Sequence, residues 1–260
     1  MKIQALVVFI ISLLLCSCSH YYYVPNIQNV PLFREKDEFR VSGSYGFGDE
    51  SNCFELQGAM SAGKHIGITS SFMSAKSERS DADGDWGKGS YIELAGGYFT
   101  PINKYGVFEV YGGFGGAGQT HQFSSYNYNG GQVNSQNSRK AHLRSNRLFI
   151  QPAVGFEFKA FEVAFSSRFC RLSFTDVDYN LSIQDNEWDL AKLTTISNDR
   201  LYYFVEPAVT LRVGWKSVKI QAQFSMGSYQ FNPDLPFETF HLGIGVQVAF
   251  GERFKETSDK

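Results

Sequence analysis

The chain has little charge imbalance: across 260 residues, 24 Lys and Arg stand against 26 Asp and Glu, a formal net charge of -2. Phosphate neutralisation needs a basic surface, so a general nucleic-acid binder is excluded. Cysteine is scarce, with four in all, and neither Cys53 nor Cys170 has a Cys or His partner at metal-ligand spacing. No G-x-S-x-G, phosphate loop, zinc spacing or dinucleotide fingerprint occurs, so no catalytic residue, cofactor or metal is assigned and an enzyme is not expected. No apolar run reaches the roughly 20 residues of a membrane-spanning helix. Abundant instead are glycine, with 25 residues, and aromatic side chains at 16%. Glycine costs about 1 kcal/mol per helix position relative to alanine, which disfavours long helices and points to an all-β chain.

Met1 and Lys2 precede an apolar stretch, residues 3–15, interrupted by Gln4 and Ser12, as in a secretory signal peptide. It ends in Leu15-Cys16-Ser17-Cys18. This resembles the lipobox of bacterial lipoproteins, in which a small residue precedes a cysteine that is lipidated and becomes the new N-terminus. Ser17 makes Cys18 the better match, because bulky Leu15 precedes Cys16. The resemblance implies a signal peptide of residues 1–17 and acylation, readable as palmitate, at Cys18. An ordinary signal peptide with incidental cysteines is the alternative. Residues 18–37, with Tyr21-Tyr22-Tyr23-Val24-Pro25 and Val30-Pro31-Leu32-Phe33, show no period and read as a periplasmic tether. Residues 38–250 read as one domain and 251–260 as a polar tail.

From Phe39 onward large apolar residues alternate with small or polar ones, the pattern of half-buried strands. Ten segments start near Phe39, Cys53, Ile66, Tyr91, Val107, Leu148, Phe161, Tyr202, Val218 and Phe240. Each runs about 8 to 12 residues, the length of a tilted membrane strand. One face carries residues such as Phe54, Leu56, Ile92, Leu94, Ile150, Val154, Ile244 and Val246. In a soluble lipocalin-like barrel that face points inward onto an apolar ligand; in an outer-membrane barrel it meets lipid. Three features favour lipid. The opposite face is rich in Gly97, Gly113, Gly155, Gly243 and similar small residues that a crowded lumen needs, its only lysine is Lys219, and tight turns alternate with longer loops. The expected fold is a single antiparallel up-and-down transmembrane-type β-barrel of about ten strands, lipid-anchored in the outer membrane with both termini on the periplasmic side.

Alternate strands share a motif around Glu55, Glu93, Gln151, Glu206 and His241, each about 8 to 10 positions before a tight turn or the last strand's end, which sets them at similar height in a barrel. They form the expected lumen polar layer, with Arg40, Arg168, Arg212 and Lys219 as counter-charges, since buried charges require partners. The alternative is a surface hydrolase or small-solute channel that uses the Glu/His ring. Such a ring, toward the outer end of ten strands, is similar in outline to the omptin outer-membrane proteases, but no omptin motif is present. Pro152 and Pro207 each remove a ladder donor, so a bulge or kink is expected there. Cys53 and Cys170 fall on opposite sides of the barrel and are expected to be free thiols.

The loop Asp81-Ala82-Asp83-Gly84-Asp85 is acidic, but Trp86 and Ile92 stand where an EF-hand needs Gly and Glu. Residues 119–146 read as a loop carrying Arg139, Lys140, His142 and Arg144, a candidate for lipopolysaccharide phosphate. Residues 175–199 read as an acidic loop, and pairing of the two loops is the alternative to phosphate binding. The lipobox, the segment from Tyr23-Val24-Pro25-Asn26 to Asn29-Val30-Pro31-Leu32-Phe33, Glu38 at the first strand and the ten-strand pattern together resemble a group of uncharacterised barrel lipoproteins of Bacteroidota. That resemblance implies the outer membrane and a barrel, and brings no substrate, protein partner or active-site residue. The chain lacks the acidic run after Cys18 of the phylum's surface-exported lipoproteins, which argues for a periplasmic-facing anchor.

Overall fold

The alternating segments all form strands in a computed structural model of the chain, which describes residues 21–78, 84–129, 132–182, 187–227, 229–230 and 235–254. They are β1 (Phe39–Gly48), β2 (Ser51–Ser61), β3 (Ile66–Glu78), β4 (Trp86–Pro101), β5 (Gly106–Asn129), β6 (Gln132–Glu157), β7 (Phe161–Tyr179), β8 (Leu201–Gly214), β9 (Val218–Met226), β10 (Tyr229–Gln230) and β11 (Phe240–Phe250). Helix α1 (Glu187–Asn198) joins β7 to β8, and a 3-10 turn, Glu252–Phe254, follows β11. Every strand pairs antiparallel with its neighbour, and β11 returns to β1 in register from Phe39↔Phe250 to Gly48↔His241. Ten strands thus form a closed barrel, with two-residue β10 lying on β8 outside the ring.

Closure removes the sheet edge, so each of the ten strands has a hydrogen-bonding neighbour on both sides. The face then decides the solvent. Phe54, Leu56, Leu94, Phe114, Ile150 and Ile244 point outward, with Ile92 64% exposed, whereas Glu55, Glu109, Glu162, Arg168 and Glu206 point inward at 0%. That polarity belongs in lipid and rules out the lipocalin-like reading. Tyr98, Tyr105, Phe158, Phe161, Trp215 and Phe250 ring the tight-turn end as an exposed aromatic girdle.

Several strands are longer than expected, β5 with 24 residues, β6 with 26 and β7 with 19 by the widest margin. A tilted strand needs only about 9–11 to cross the bilayer. Residues 119–146 are therefore mostly strand, and 175–199 end β7 and form α1. The polarity inverts along these strands. Beyond Leu148, Lys140, His142, Arg144 and Asn146 face outward, and Phe123, Ala141, Leu143, Leu172 and Phe174 face inward. With Leu193 and Ile196 of α1 and Tyr202 and Phe204 of β8, these inward residues build an ordinary apolar core at the long-loop mouth.

The larger departure concerns the N-terminal segment. The described part of the expected tether, from Tyr22 to Phe33, is buried inside the barrel, with Val30, Leu32 and Phe33 at 0% exposure. Tyr22 N–H donates to Pro236 O and Tyr23 bridges to Phe237, both at the long-loop end. Arg34 donates to the carbonyls of Asn103 and Lys104 in a tight turn. The segment thus traverses the lumen lengthwise, so the described ends of the chain, Tyr21 and Phe254, lie at opposite ends of the barrel rather than together. Residues 18–20, with Cys18, lie outside the described residues, as do Cys16 and Asp81 to Asp83.

The prolines break hydrogen bonding without a bulge. The β6–β7 ladder skips from Ile150↔Phe169 to Ala153↔Ser166 with its register kept, and the β8–β9 ladder begins only past Pro207, at Ala208↔Ser225. Cys53 and Cys170 are buried free thiols.

Lumen glycines make room for this plug. A Cβ on Gly155 would run into Leu32, and one on Gly243 into Ile27. Gly155→Val and Gly243→Val should each cost about 1–3 kcal/mol through overpacking. The readout is a lower temperature for the heat-modifiable gel shift. Gly96→Ala, with nothing within 4 Å of its added Cβ, should leave that temperature unchanged.

Candidate functional site

Buried backbone N–H and C=O groups need partners, so an irregular peptide that crosses a polar lumen must find them there. The wall side chains do this. Glu55 accepts from Ile27 N–H with both carboxylate oxygens at 3.0 Å, Gln223 accepts from Gln28 N–H at 2.6 Å, and Glu109 accepts from Phe33 N–H at 3.0 Å. Gln57 donates to Ile27 O at 2.7 Å, Gln151 to Asn29 O at 2.9 Å, Arg212 to Val30 O at 2.7 Å and Arg40 to Leu32 O at 3.2 Å. Leu32 adopts a left-handed backbone, φ 54°, with its side chain fully buried.

Charge is arranged in two layers. Toward the long-loop end Glu93 receives Arg147 at 2.8 Å and Arg168 at 3.3 Å. Arg168 also donates to Gln151 at 3.0 Å, and both arginines donate to Asn26 Oδ1 of the plug. Glu206 accepts from the Tyr23 hydroxyl, which itself accepts from Arg147. Toward the tight turns Glu162 gathers Arg212 at 3.0 Å, Lys219 at 3.0 Å and Arg40 at 3.3 Å. Arg253, at 2.7 Å from both Glu38 and Glu157, closes the bottom.

Of the expected polar layer, Glu93 and Gln151 are joined through Arg168, Glu206 is reached through Tyr23, and Glu55 pairs with His241 at 3.3 Å. Among the expected counter-charges, only Arg168 contacts this layer. Arg40, Arg212 and Lys219 serve Glu162 in the other one. Arg147 is the cation of the upper layer that sequence reasoning missed, as Arg253 is at the bottom. For Arg147 the signal is parity, since it lies two and four residues before inward Phe149 and Gln151, but the lipid-facing apolar stripe of that strand begins only at Leu148.

Glu55 and His241 belong to a third group. Cys53 Sγ lies 3.4 Å from Glu55 Oε1 and 3.6 Å from His241 Nε2. His241 Nδ1 stands 4.0 Å from Glu238 Oε2, and Glu238 is held by Ser51 N–H at 3.0 Å and Ser51 Oγ at 2.7 Å. Burial in its loop pushes the Glu238 carboxyl above the usual carboxylate range.

Among the described residues, a cavity of about 590 Å³ lies at the tight-turn end, lined by Lys104, Glu157, Lys219 and Arg253 and away from the expected polar layer. A recess beside Tyr22, Val24, His121 and Arg147 has a volume of about 70 Å³, room for a few waters at about 10–15 Å³ each. In the upper barrel, Arg144 is opposite Asp176 and His142 opposite Asp178 in the β6–β7 register, so the basic and acidic stretches meet as cross-strand neighbours. Asp85, in the acidic stretch before β4, accepts from Ser124 N–H at 2.6 Å.

No protein-family model and no curated protein matches the sequence. Solved barrels are similar in fold. The KdgM porin is 12% identical, covering 82% of this chain and 99% of its own, with a TM-score of 0.37. The translocator domain of autotransporter NalP from Neisseria meningitidis is 8% identical over 84% of this chain and 90% of its own, TM-score 0.43. The outer membrane protease OmpT from Escherichia coli is 10% identical over 83% and 94%, TM-score 0.41.

The upper ion cluster is open to a direct test. Glu93→Gln leaves Arg147 and Arg168 buried side by side without their shared carboxylate, and loss of one partner from such a cluster costs about 3–5 kcal/mol. Arg147→Met should be destabilising too. The double variant should lose less than the sum of the two, because the uncompensated charge is removed with its partner. Urea midpoints of detergent-folded protein provide the comparison, and strict additivity would show that the pair is not coupled.

Proposed function

We propose that the chain is an outer-membrane barrel lipoprotein whose own N-terminal segment closes the lumen, and that its role is structural or interactive, exercised by the part beyond the bilayer. The buried passage of residues 22–33 carries this reading. A small-solute channel needs a continuous wet path, and a lumen hydrolase needs an acid and a base facing a cavity. Here Glu93, Glu162 and Glu206 hold cations or the plug instead. Extended β5, β6 and β7 with α1 supply the surface for a protein partner. Lipopolysaccharide phosphate fits less well, because His142 and Arg144 have acidic cross-strand neighbours.

The lipid is proposed on Cys18, but at the end opposite to the one expected from the sequence. Cys18 lies three positions before Tyr21, a reach of at most about 10 Å. Tyr21 stands at the long-loop end, and the apolar band of such a barrel is about 25 Å tall. An acyl chain on Cys18 therefore enters the leaflet beside the long loops, which in outer-membrane barrels is the extracellular one. The C-terminal turn remains at the periplasmic, tight-turn end.

In planar bilayers the full mature chain should be silent, and a variant lacking residues 22–33 should give stepwise conductance. Open steps from the intact chain would sink the closed-lumen reading. Palmitate labelling should survive Cys16→Ala and vanish in Cys18→Ala. An epitope placed between Ser19 and His20 should bind antibody on intact cells; binding only after permeabilisation would return the lipid to the periplasmic face.

A further inference from the structure

Cys53 and Glu55 are inward residues of β2, and His241 is the inward residue at the start of β11; β1 lies between the two strands. At the position on β1 facing both, the chain has Gly46, where a Cβ would overlap Cys53 Sγ and the His241 ring. Its absence lets three side chains from two non-adjacent strands meet at one point. All three are almost completely buried, at 2%, 0% and 1% exposure.

The separations fit metal coordination. With usual zinc–sulfur, zinc–nitrogen and zinc–oxygen bond lengths, a tetrahedral site has ligand edges of about 3.6 Å between S and N, about 3.5 Å between S and O and about 3.3 Å between N and O. The corresponding distances are 3.6 Å, 3.4 Å and 3.3 Å. The surroundings suit a metal as well. Ile27 N–H donates to the Glu55 carboxylate and fixes its orientation. Among the described residues His241 Nδ1 has no hydrogen-bond partner, yet Glu238 Oε2 stands 4.0 Å away, placed to accept from it once the ring settles as the neutral, Nε2-ligating tautomer.

We propose that Cys53, Glu55 and His241 form a binding site for one divalent, borderline-soft metal ion, zinc above all, at the junction of the plug and the barrel wall. The donor set is one thiolate, one carboxylate and one imidazole, whose charge of minus two neutralises the ion. That set selects zinc over magnesium or calcium, which take oxygen alone. Binding displaces the thiol proton to solvent and leaves the fourth position for water. Because Glu55 also holds Ile27, the ion would tie the plug to β2 and β11. The site itself depends on the three wall residues and not on where Cys18 is lipidated.

The test uses the full mature chain, unfolded in guanidinium with chelator and refolded in detergent with cobalt or zinc. Plasma mass spectrometry should find one zinc per folded barrel after gel filtration. The cobalt form should show a near-ultraviolet thiolate-to-cobalt charge-transfer band with visible bands of tetrahedral strength. Cys53→Ser should abolish the charge-transfer band, and His241→Gln should weaken metal retention at least tenfold, each with heat-modifiable mobility confirming the fold. If a variant does not fold, the wild-type spectrum still decides. Folded wild-type barrel that retains no zinc, or binds cobalt without a thiolate band, would overturn the site and leave the trio a hydrogen-bonded group. Neither result bears on conductance, so failure here is separable from failure of the closed-lumen reading.

Discussion

A peptide without regular structure can cross a membrane barrel only if something other than water satisfies its backbone, and the lumen of this protein is organised around that requirement. Three N–H groups and six carbonyls of the segment between Tyr22 and Phe33 are matched by wall side chains. Pro25 and Pro31 remove two donors that would otherwise need partners. Long amides and guanidinium groups are suited to the work, because they reach from a strand to the axis and carry donors in a fixed geometry. The polar ring that sequence reading isolated as a possible site of chemistry is thereby explained as the solvent of a peptide. Glu55, Gln151 and Glu206 each contact the segment, directly or through one hydroxyl.

The charges follow from the same requirement. Arginines that reach the axis to serve carbonyls must be neutralised in a low-dielectric interior, and lone buried charges cost several kcal/mol. Glu93 and Glu162 stand at the two levels where guanidinium groups converge. Arg212 shows the coupling within one side chain: Nη2 donates to Val30 O while Nη1 pairs with Glu162. The carboxylates hold the cations, and the cations hold the plug.

How much of this was legible in the sequence differs by feature and has physical reasons. Strands that cross lipid carry an unbroken period of two with one face apolar, so β1, β3, β9 and β11 start where periodicity places them. For β5 to β7 the period continues past the bilayer while the apolar face switches sides. Phe123 and Leu143 have the parity of lumen residues, and a reading that follows the lipid-facing stripe ends the strand at Leu148. The plug was illegible for another reason: its partners are single residues on many strands, such as Gln223 for Gln28, 195 positions apart. No local period records such contacts. Cys53 and His241, 188 positions apart, are in the same class, since metal-ligand spacing in sequence reports only ligands from one local element.

The chemistry of the contacts also bears on whether the proposed closure is a gate or fixed. Each plug–wall hydrogen bond is worth about 0.5–1.5 kcal/mol net once water can replace it, which alone would let any one of them open readily. They are carried by one continuous chain that runs directly into β1 at Phe39, so the segment cannot slide by a residue without misplacing every donor against its acceptor. Shape adds a second register. Ile27 and Leu32 fill the spaces left by Gly243 and Gly155, and a shift of one position would bring Gln28 and Phe33 against walls matched to other side chains. A gate needs two arrangements of similar energy. This lumen is complementary to one register of one peptide, and in the proposed closed-lumen reading the polar wall that makes the passage possible is also what keeps it closed.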